Sequence, residues 1–161
     1  MSLRKKPWNR TDHPVYAVSS RNGNEQNMHI ISYATAISMQ PKRYVVGIYE
    51  GTKTLDLINA NPEFVLQILS KEQYPLVRLL GQQSGHSINK IARLQKRNLI
   101  TEWKGFPVLK DALSFLHLKV IDQFNGGDHT GFLCEVIAYK NMNEGVPLTL
   151  NVLREKQIIR G

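Results

Sequence analysis

The two longest strand-type segments of the chain stand next to each other and are joined by a turn-forming sequence. Leu113 to Phe124 and Gly131 to Tyr139 are apolar or alternating along most of their length, which is typical of β-strands. The connection, Asn125 to Thr130, reads Asn-Gly-Gly-Asp-His-Thr and is rich in the residues that hairpin turns favour. The pattern therefore predicts a long β-hairpin.

Other segments add strands around this hairpin and helices in the middle of the chain. The predicted strands are Pro14 to Ser20, His29 to Met39, Arg43 to Tyr49, Glu63 to Leu69 and a short Leu148 to Val152. Helical spacing predicts helices at Thr54 to Ala60, with Thr52 or Thr54 as N-cap, and at Gln73 to Leu80 and Ile88 to Lys96, separated by Gly81 to Gly85. We therefore expect a mainly β fold with helical insertions, a small closed barrel, in a single domain spanning residues 1–161.

Composition narrows the class of partner and the compartment. A formal net charge of +8 and a pI near 9.7 favour an anionic partner: a nucleotide, a nucleic acid or a phosphate-bearing cofactor. The single cysteine, Cys134, cannot form an internal disulfide and favours a reducing compartment such as the cytoplasm. No apolar run approaches the roughly 18 residues of a membrane span, so no membrane association is expected.

A basic helix face keeps a nucleic-acid partner open as an alternative. In the predicted helix Ile88 to Lys96, one side carries Lys90 and Arg93, and Lys96 and Arg97 continue it. This side is expected to face solvent or a ligand. Because no aromatic residues cluster beside it, a nucleic-acid-binding barrel is the less favoured interpretation.

Common catalytic and metal-binding motifs are missing from the sequence. The five histidines are scattered and Cys134 stands alone in a predicted strand, so no metal site is predicted and Cys134 is interpreted as a small buried apolar residue. There is no phosphate-binding loop of the Walker type, no Gly-x-Gly-x-x-Gly after a strand and no Gly-x-Ser-x-Gly elbow. Any nucleotide binding must therefore use another scaffold.

Two segments carry the more informative chemistry. Asn27 to Ser38 is dotted with the hydroxyls of Ser32, Thr35 and Ser38 in a run apolar enough to be interior, and such hydroxyls need either backbone partners or a polar ligand. Gly51 to Thr54, with the sequence Gly-Thr-Lys-Thr, precedes a predicted helix. Hydroxyls, a cation and free N–H groups at a helix start can hold a phosphate, although the segment alone is also a good N-cap.

The order of these segments resembles the flavin reductase-like family, which has the FMN-binding split β-barrel fold. The matching elements are Asn27 to Ser38, Pro41, Arg43 to Tyr49, Thr52 to Ile58 and Phe64 to Leu69, followed by Gly127-Asp128-His129-Thr130 and then Phe132 and Cys134-Glu135-Val136. The resemblance covers most of the chain, from Pro14 to Tyr139. The chain departs from the family pattern at Met28 (often Gly in the family), His29 (Met), Ile30 (Thr), Tyr33 (Ser) and Gln67 (Asn).

The resemblance implies a set of cofactor-binding residues. Asn27 and the segment of Ser32, Tyr33, Ala34 and Thr35 would bind the flavin, and Thr52, Lys53 and Thr54 would hold its phosphate. His129 would lie at the reactive edge of the flavin or at the nicotinamide entrance and is the candidate catalytic residue. The alternative for His129 is a loop histidine that caps a turn.

The resemblance also implies a function and its partners. The leading hypothesis is an FMN-binding oxidoreductase that takes a hydride from NAD(P)H and passes reducing equivalents to free flavin or a partner oxygenase. Members of the family are typically homodimers that complete the flavin site at the subunit interface. A non-enzymatic FMN-binding electron carrier would share the same features and remains an alternative.

Overall fold

The fold is built on one antiparallel sheet, described here in a computed structural model that covers residues 6–160. The sheet has seven strands in the order β2-β1-β5-β8-β9-β4-β3. A separate two-stranded hairpin is formed by β6 and β7. The strands are β1 Tyr16–Asn22, β2 Glu25–Ile31, β3 Ala34–Ser38, β4 Arg43–Tyr49, β5 Glu63–Ile68, β6 Ile100–Trp103, β7 Phe106–Leu109, β8 Ser114–Asn125 and β9 His129–Asn141.

Within residues 6–160, three helices lie in connections between strands and a fourth follows the last strand. They are α1 Lys53–Ala60, α2 Val77–Gly81, α3 Lys90–Lys96 and α4 Leu150–Glu155, with short 3-10 turns at Pro7–Asn9 and Lys71–Leu76. None of the helices in residues 6–160 is both long and apolar enough to cross a membrane. The predicted long hairpin, the strand Arg43–Tyr49 and the helix at α1 are confirmed, and Thr52 rather than Thr54 is the N-cap of α1.

Strand alternation divides the buried side chains between two cores, one on each face of the sheet. Neighbouring residues in β1 and β5 point to opposite sides: Ala17 and Val65 belong to one core, whereas Val18 and Leu66 belong to the other. The first core packs against α2, α3, α4 and the β6-β7 hairpin. The second core is enclosed by the curved sheet, and α1 contributes Leu55 and Ile58 to it.

The expectation of a closed barrel is wrong, because the sheet is open between β2 and β3. The predicted strand His29 to Met39 is in fact two strands, and the chain bends at Ser32 and Tyr33 between them. Thereafter β3 pairs only with β4, and no ladder joins β2 to β3 within residues 6–160. Helix α1, which contacts β1, β2 and β4, covers the second core beside this opening. The architecture is a split rather than a closed barrel.

Two further details of the predicted secondary structure need correction. The segment Leu148 to Val152 is not a strand: only Pro147 and Thr149 form isolated bridges, and α4 begins at Leu150. The β6-β7 hairpin was not predicted. Its strands have only four residues each, too few for a reliable period-2 pattern.

The β6-β7 hairpin is joined to the sheet through the fully buried Gln67. Its Oε1 accepts a hydrogen bond from the backbone N–H of Leu109 at 2.7 Å, and its Nε2 lies 3.5 Å from the sulfur of Met28. The amide thus satisfies a backbone donor that would otherwise be buried without a partner.

Replacing Gln67 with leucine should therefore destabilise the fold. The substitution Gln67→Leu leaves the N–H of Leu109 without its acceptor, which costs roughly 1–3 kcal/mol of unfolding free energy. Urea unfolding measures this loss. Gln95→Leu, on the exposed side of α3, is the control and should change stability by less than about 0.5 kcal/mol. Equal stability of the two variants would contradict the role assigned to Gln67.

Candidate functional site

The predicted site residues line a continuous row of three clefts at the open side of the sheet. The helix-end cleft, of about 340 Å³, lies at the start of α1. The middle cleft, of about 260 Å³, shares His29 and Tyr49 with it. The hairpin cleft, of about 380 Å³, shares Tyr33 and His129 with the middle cleft. The three clefts therefore form one elongated surface.

Every sequence-predicted site residue lies on this surface. Asn27, Thr52, Lys53 and Thr54 line the helix-end cleft. Ser32, Tyr33 and His129 line both the middle and hairpin clefts, and Ala34 and Thr35 line the hairpin cleft.

The start of α1 presents unused hydrogen-bond donors. Thr52 Oγ accepts from the N–H of Leu55 at 3.2 Å and donates to the carbonyl of Tyr49 at 2.9 Å. No partner is found for the N–H groups of Lys53 and Thr54 in the part of the chain that the structure describes. These free donors and the positive end of the helix dipole favour an anion at this position.

The side chain of Thr54, which the resemblance places at the phosphate, makes a hydrogen bond inside the protein. Its side chain is fully buried, and its Oγ accepts a hydrogen bond from Asn27 Nδ2 at 3.0 Å. Gly85 lies against Asn27, since a Cβ at this glycine would stand 2.6 Å from Asn27 Oδ1. Asn27 therefore connects β2 to α1 and supports the loop after α2.

Sequence reasoning missed the other side of the helix-end cleft. The loop Gly81–Gly85 and Lys90 complete its lining. Lys90 is only 2% exposed, and its Nζ donates to the carbonyl of Leu80 at 2.9 Å. Of the two alternatives predicted for the basic side of this helix, solvent or a ligand, Lys90 does not face solvent, because its side chain points inward from α3 and lines the cleft. The polar, glycine-containing loop Gly81–Gly85 ahead of Lys90 was the sequence signal that could have indicated this side of the cleft.

The electrostatics of the helix-end cleft are those of an anion site. Two lysines, Lys53 and Lys90, line it, and its lining residues include no carboxylate. Burial lowers the pKa of Lys90 to about 8, so this lysine is still largely charged at neutral pH. An anion that entered the cleft would restore a counter-charge to the buried cation.

Aromatic side chains surround His129 in the middle cleft. The register of β4 and β9 sets Tyr49 opposite His129. The imidazole lies 4.9 Å from the ring of Tyr33 and 5.1 Å from that of Tyr49, measured between centroids. Both tyrosines are more than half exposed, so they present an apolar surface suited to a planar ring.

The hydrogen bonding of His129 determines which nitrogen is available to a ligand. Nδ1 lies 2.7 Å from Asp128 Oδ1, and Nε2 has no partner among residues 6–160. Because a carboxylate only accepts, Nδ1 carries the proton and a neutral ring leaves Nε2 as an acceptor. The side chain bonds to Asp128 rather than to a backbone group. The tight turn is closed instead by Gly126, whose N–H donates to the carbonyl of His129, and by Gly127 with φ +95°.

The predicted interior position of the hydroxyl-bearing segment is wrong. Thr35 is exposed and Ser32 and Ser38 are only partly buried, because β3 is an edge strand outside the enclosed core. These groups are available to a ligand rather than in need of internal partners. Cys134, in contrast, is buried as predicted, and burial raises the pKa of its thiol to about 12.

His29, a second residue that sequence reasoning left out of the site, lines both the helix-end and middle clefts. Its Nδ1 is buried without a hydrogen-bond partner. Burial, and secondarily the charges of Lys90 and His129, lower the pKa of His29 to about 4. The ring is therefore neutral at physiological pH.

Comparison with known proteins identifies the family. Residues 8–158 match the model of the flavin reductase like domain, and the chain belongs to this family. An uncharacterised protein of Pyrococcus abyssi is 30% identical over 130 residues, which cover 81% of this chain and 74% of that protein. The high molecular weight rubredoxin of Moorella thermoacetica is 25% identical over 137 residues, covering 84% of this chain and 58% of that protein.

Solved structures show the same fold. An FMN-binding protein from Thermus thermophilus superposes with a TM-score of 0.75 at 22% identity, covering 88% of this chain and 80% of the other. The flavin reductase PheA2 gives a TM-score of 0.74 at 25% identity, covering 88% and 87%. The flavin reductase-like fold expected from the order of the sequence motifs is confirmed.

The lowered pKa of His29 makes stability depend on pH in a defined direction. The unfolded chain protonates this histidine below about pH 6.5, whereas the folded protein does so only near pH 4. Its contribution is thus complete above pH 6.5 and is lost as pH falls towards 4. Between pH 7.5 and 4.5, we expect the wild type to lose on the order of 2 kcal/mol more unfolding free energy than His29→Gln. Urea titrations of both proteins at the two pH values test this. Equal losses of unfolding free energy in the wild type and in His29→Gln would contradict it.

Proposed function

We propose that this protein is an FMN-binding oxidoreductase, which takes reducing equivalents from NAD(P)H and passes them to free flavin or a partner oxygenase. The observation that carries the proposal is the row of clefts, which joins a carboxylate-free cationic end to an aromatic end. FMN has the matching order: a phosphate, a polyol linker and a planar ring. The binding of FMN by the Thermus thermophilus protein of the same fold supports this ligand.

The residues present fit this cofactor. Lys53 and the free N–H groups at the start of α1, where Thr52 is the N-cap, would hold the phosphate, with the buried charge of Lys90 beside them. Tyr33, Tyr49 and His129 would contact the ring. The bound flavin would supply the hydride and electron chemistry. The protein's own contribution is to bind, to orient and to offer Nε2 of His129 as an acceptor, with Asp128 holding the opposite nitrogen protonated.

FMN is preferred to FAD in this proposal. The anion site is a compact helix start, and no second glycine-rich phosphate loop of the dinucleotide type occurs in the sequence.

The long hairpin carries exposed apolar side chains that are consistent with a homodimer in which a second chain adds to the site. They are Ile121, Phe124, Ile137 and Tyr139. The absence of paired thiols supports a cytoplasmic location.

An electron carrier is the second candidate. The relative from Moorella thermoacetica is named a high molecular weight rubredoxin, which favours electron transfer as the function. Oxidation of NAD(P)H by the FMN-loaded protein distinguishes the two functions. The nucleic-acid alternative is weakened, because Lys90 is not part of the exposed face of α3.

Removing the charge of Lys53 should weaken FMN selectively. A charge-assisted contact to phosphate contributes roughly 1.5–3 kcal/mol of binding free energy. Lys53→Ala should therefore lower the affinity for FMN by about tenfold or more. The affinity for riboflavin, which lacks the phosphate, should change by less than about twofold. Quenching of flavin fluorescence on titration with apoprotein gives both affinities.

Lys96→Ala is the control for that experiment, because Lys96 is exposed on α3 and does not line the clefts. It should leave both affinities unchanged. Unaltered FMN affinity in Lys53→Ala, or an equal loss of riboflavin affinity, would contradict the assignment of the phosphate site to the start of α1.

Replacing His129 should slow flavin reduction more than it weakens FMN binding. His129→Ala removes the acceptor at the edge of the middle cleft, and we expect flavin reduction by NAD(P)H to slow by about tenfold or more while FMN affinity changes little. Stopped-flow absorbance of FMN-loaded protein measures the rate, and a melting curve measures stability. A normal rate of flavin reduction per folded molecule, together with a lower melting temperature, would show that His129 has a purely structural role.

A further inference from the structure

His29 stands where the two ends of the ligand surface meet. It is the histidine common to the helix-end cleft and the middle cleft. On one side of it lie Lys53 and the start of α1, and on the other lie Tyr33 and His129. A ligand that filled both clefts would pass this side chain between its anionic group and its planar group.

The hydrogen-bonding capacity of His29 is unused by the protein. Neither ring nitrogen has a partner among residues 6–160, and only Nδ1 is sealed from solvent. Nε2 therefore keeps access to the cleft. A buried N–H without an acceptor is more costly than a buried lone pair, so the proton belongs on Nε2. The lowered pKa keeps the ring in this neutral form at pH 7.

We infer that His29 is a ligand-positioning residue whose Nε2–H donates a hydrogen bond to a hydroxyl of the polyol chain that links the phosphate of FMN to its ring. This inference rests on the proposed function and adds to it the part of the cofactor that neither end of the surface contacts. The family pattern has methionine at this position, which offers no donor. The hydrogen bond is thus a property of this chain rather than of the fold.

Three flavins that differ in one part each locate the contact. FMN carries phosphate, polyol and ring; riboflavin lacks the phosphate; lumiflavin lacks both phosphate and polyol. His29→Met removes the donor and keeps an apolar side chain of similar length. We expect it to weaken FMN and riboflavin by the same factor, about tenfold. Lumiflavin, measured as a competitor of FMN, should change by less than about twofold.

Two further variants control for general disruption of the cleft. His29→Gln restores a side-chain donor and should recover at least part of the lost affinity for FMN and riboflavin. His86→Met replaces a histidine that is half exposed and lies outside the lining of the three clefts, and all three flavins should bind as to the wild type.

The remaining outcomes overturn the inference in distinguishable ways. A loss confined to FMN would place His29 at the phosphate, and an equal loss for all three flavins would place it at the ring or show a distorted cleft. Unchanged affinities in His29→Met would show that the ring makes no ligand contact. Failure of the wild-type protein to bind FMN would instead overturn the proposed function itself.

Discussion

The hydrogen bond between Asn27 and Thr54 is the constraint on which the ligand surface depends. It connects β2 to the first turn of α1 at 3.0 Å, inside the protein. Gly85 can approach only because it has no Cβ to meet the Asn27 amide. One buried amide thus determines where the helix start and the loop after α2 lie relative to each other, and these two segments form opposite walls of the helix-end cleft.

The other end of the surface depends on strand register. The pairing of β4 with β9 sets Tyr49 opposite His129, and Gly47 leaves room for Tyr33 beside them, where a Cβ would stand 3.3 Å from that of the tyrosine. A slip by one residue would turn these side chains to the other face. Because the second core lies under the same strands, the register that buries Val46 and Phe132 also positions the aromatic group.

Much of this arrangement could be predicted from the sequence, for reasons specific to each element. The long hairpin and α1 follow from local patterns of period two and period 3.6, and the order of motifs indicated the family. The inward orientation of Lys90 could not be predicted, because helical spacing places this residue beside Arg93 and only tertiary packing turns it towards Leu80. The role of Thr54 as a partner of Asn27 was hidden for the same reason: the two residues are distant in sequence and meet only in the fold.

We propose that one continuous surface binds FMN from its phosphate to its ring. A crystal structure of the protein with FMN tests this most directly. We expect the phosphate within hydrogen-bond distance of the N–H groups of Lys53 and Thr54, and the ring in the middle cleft against Tyr49 and His129. A phosphate bound away from the start of α1, or a ring outside the middle cleft, would contradict it.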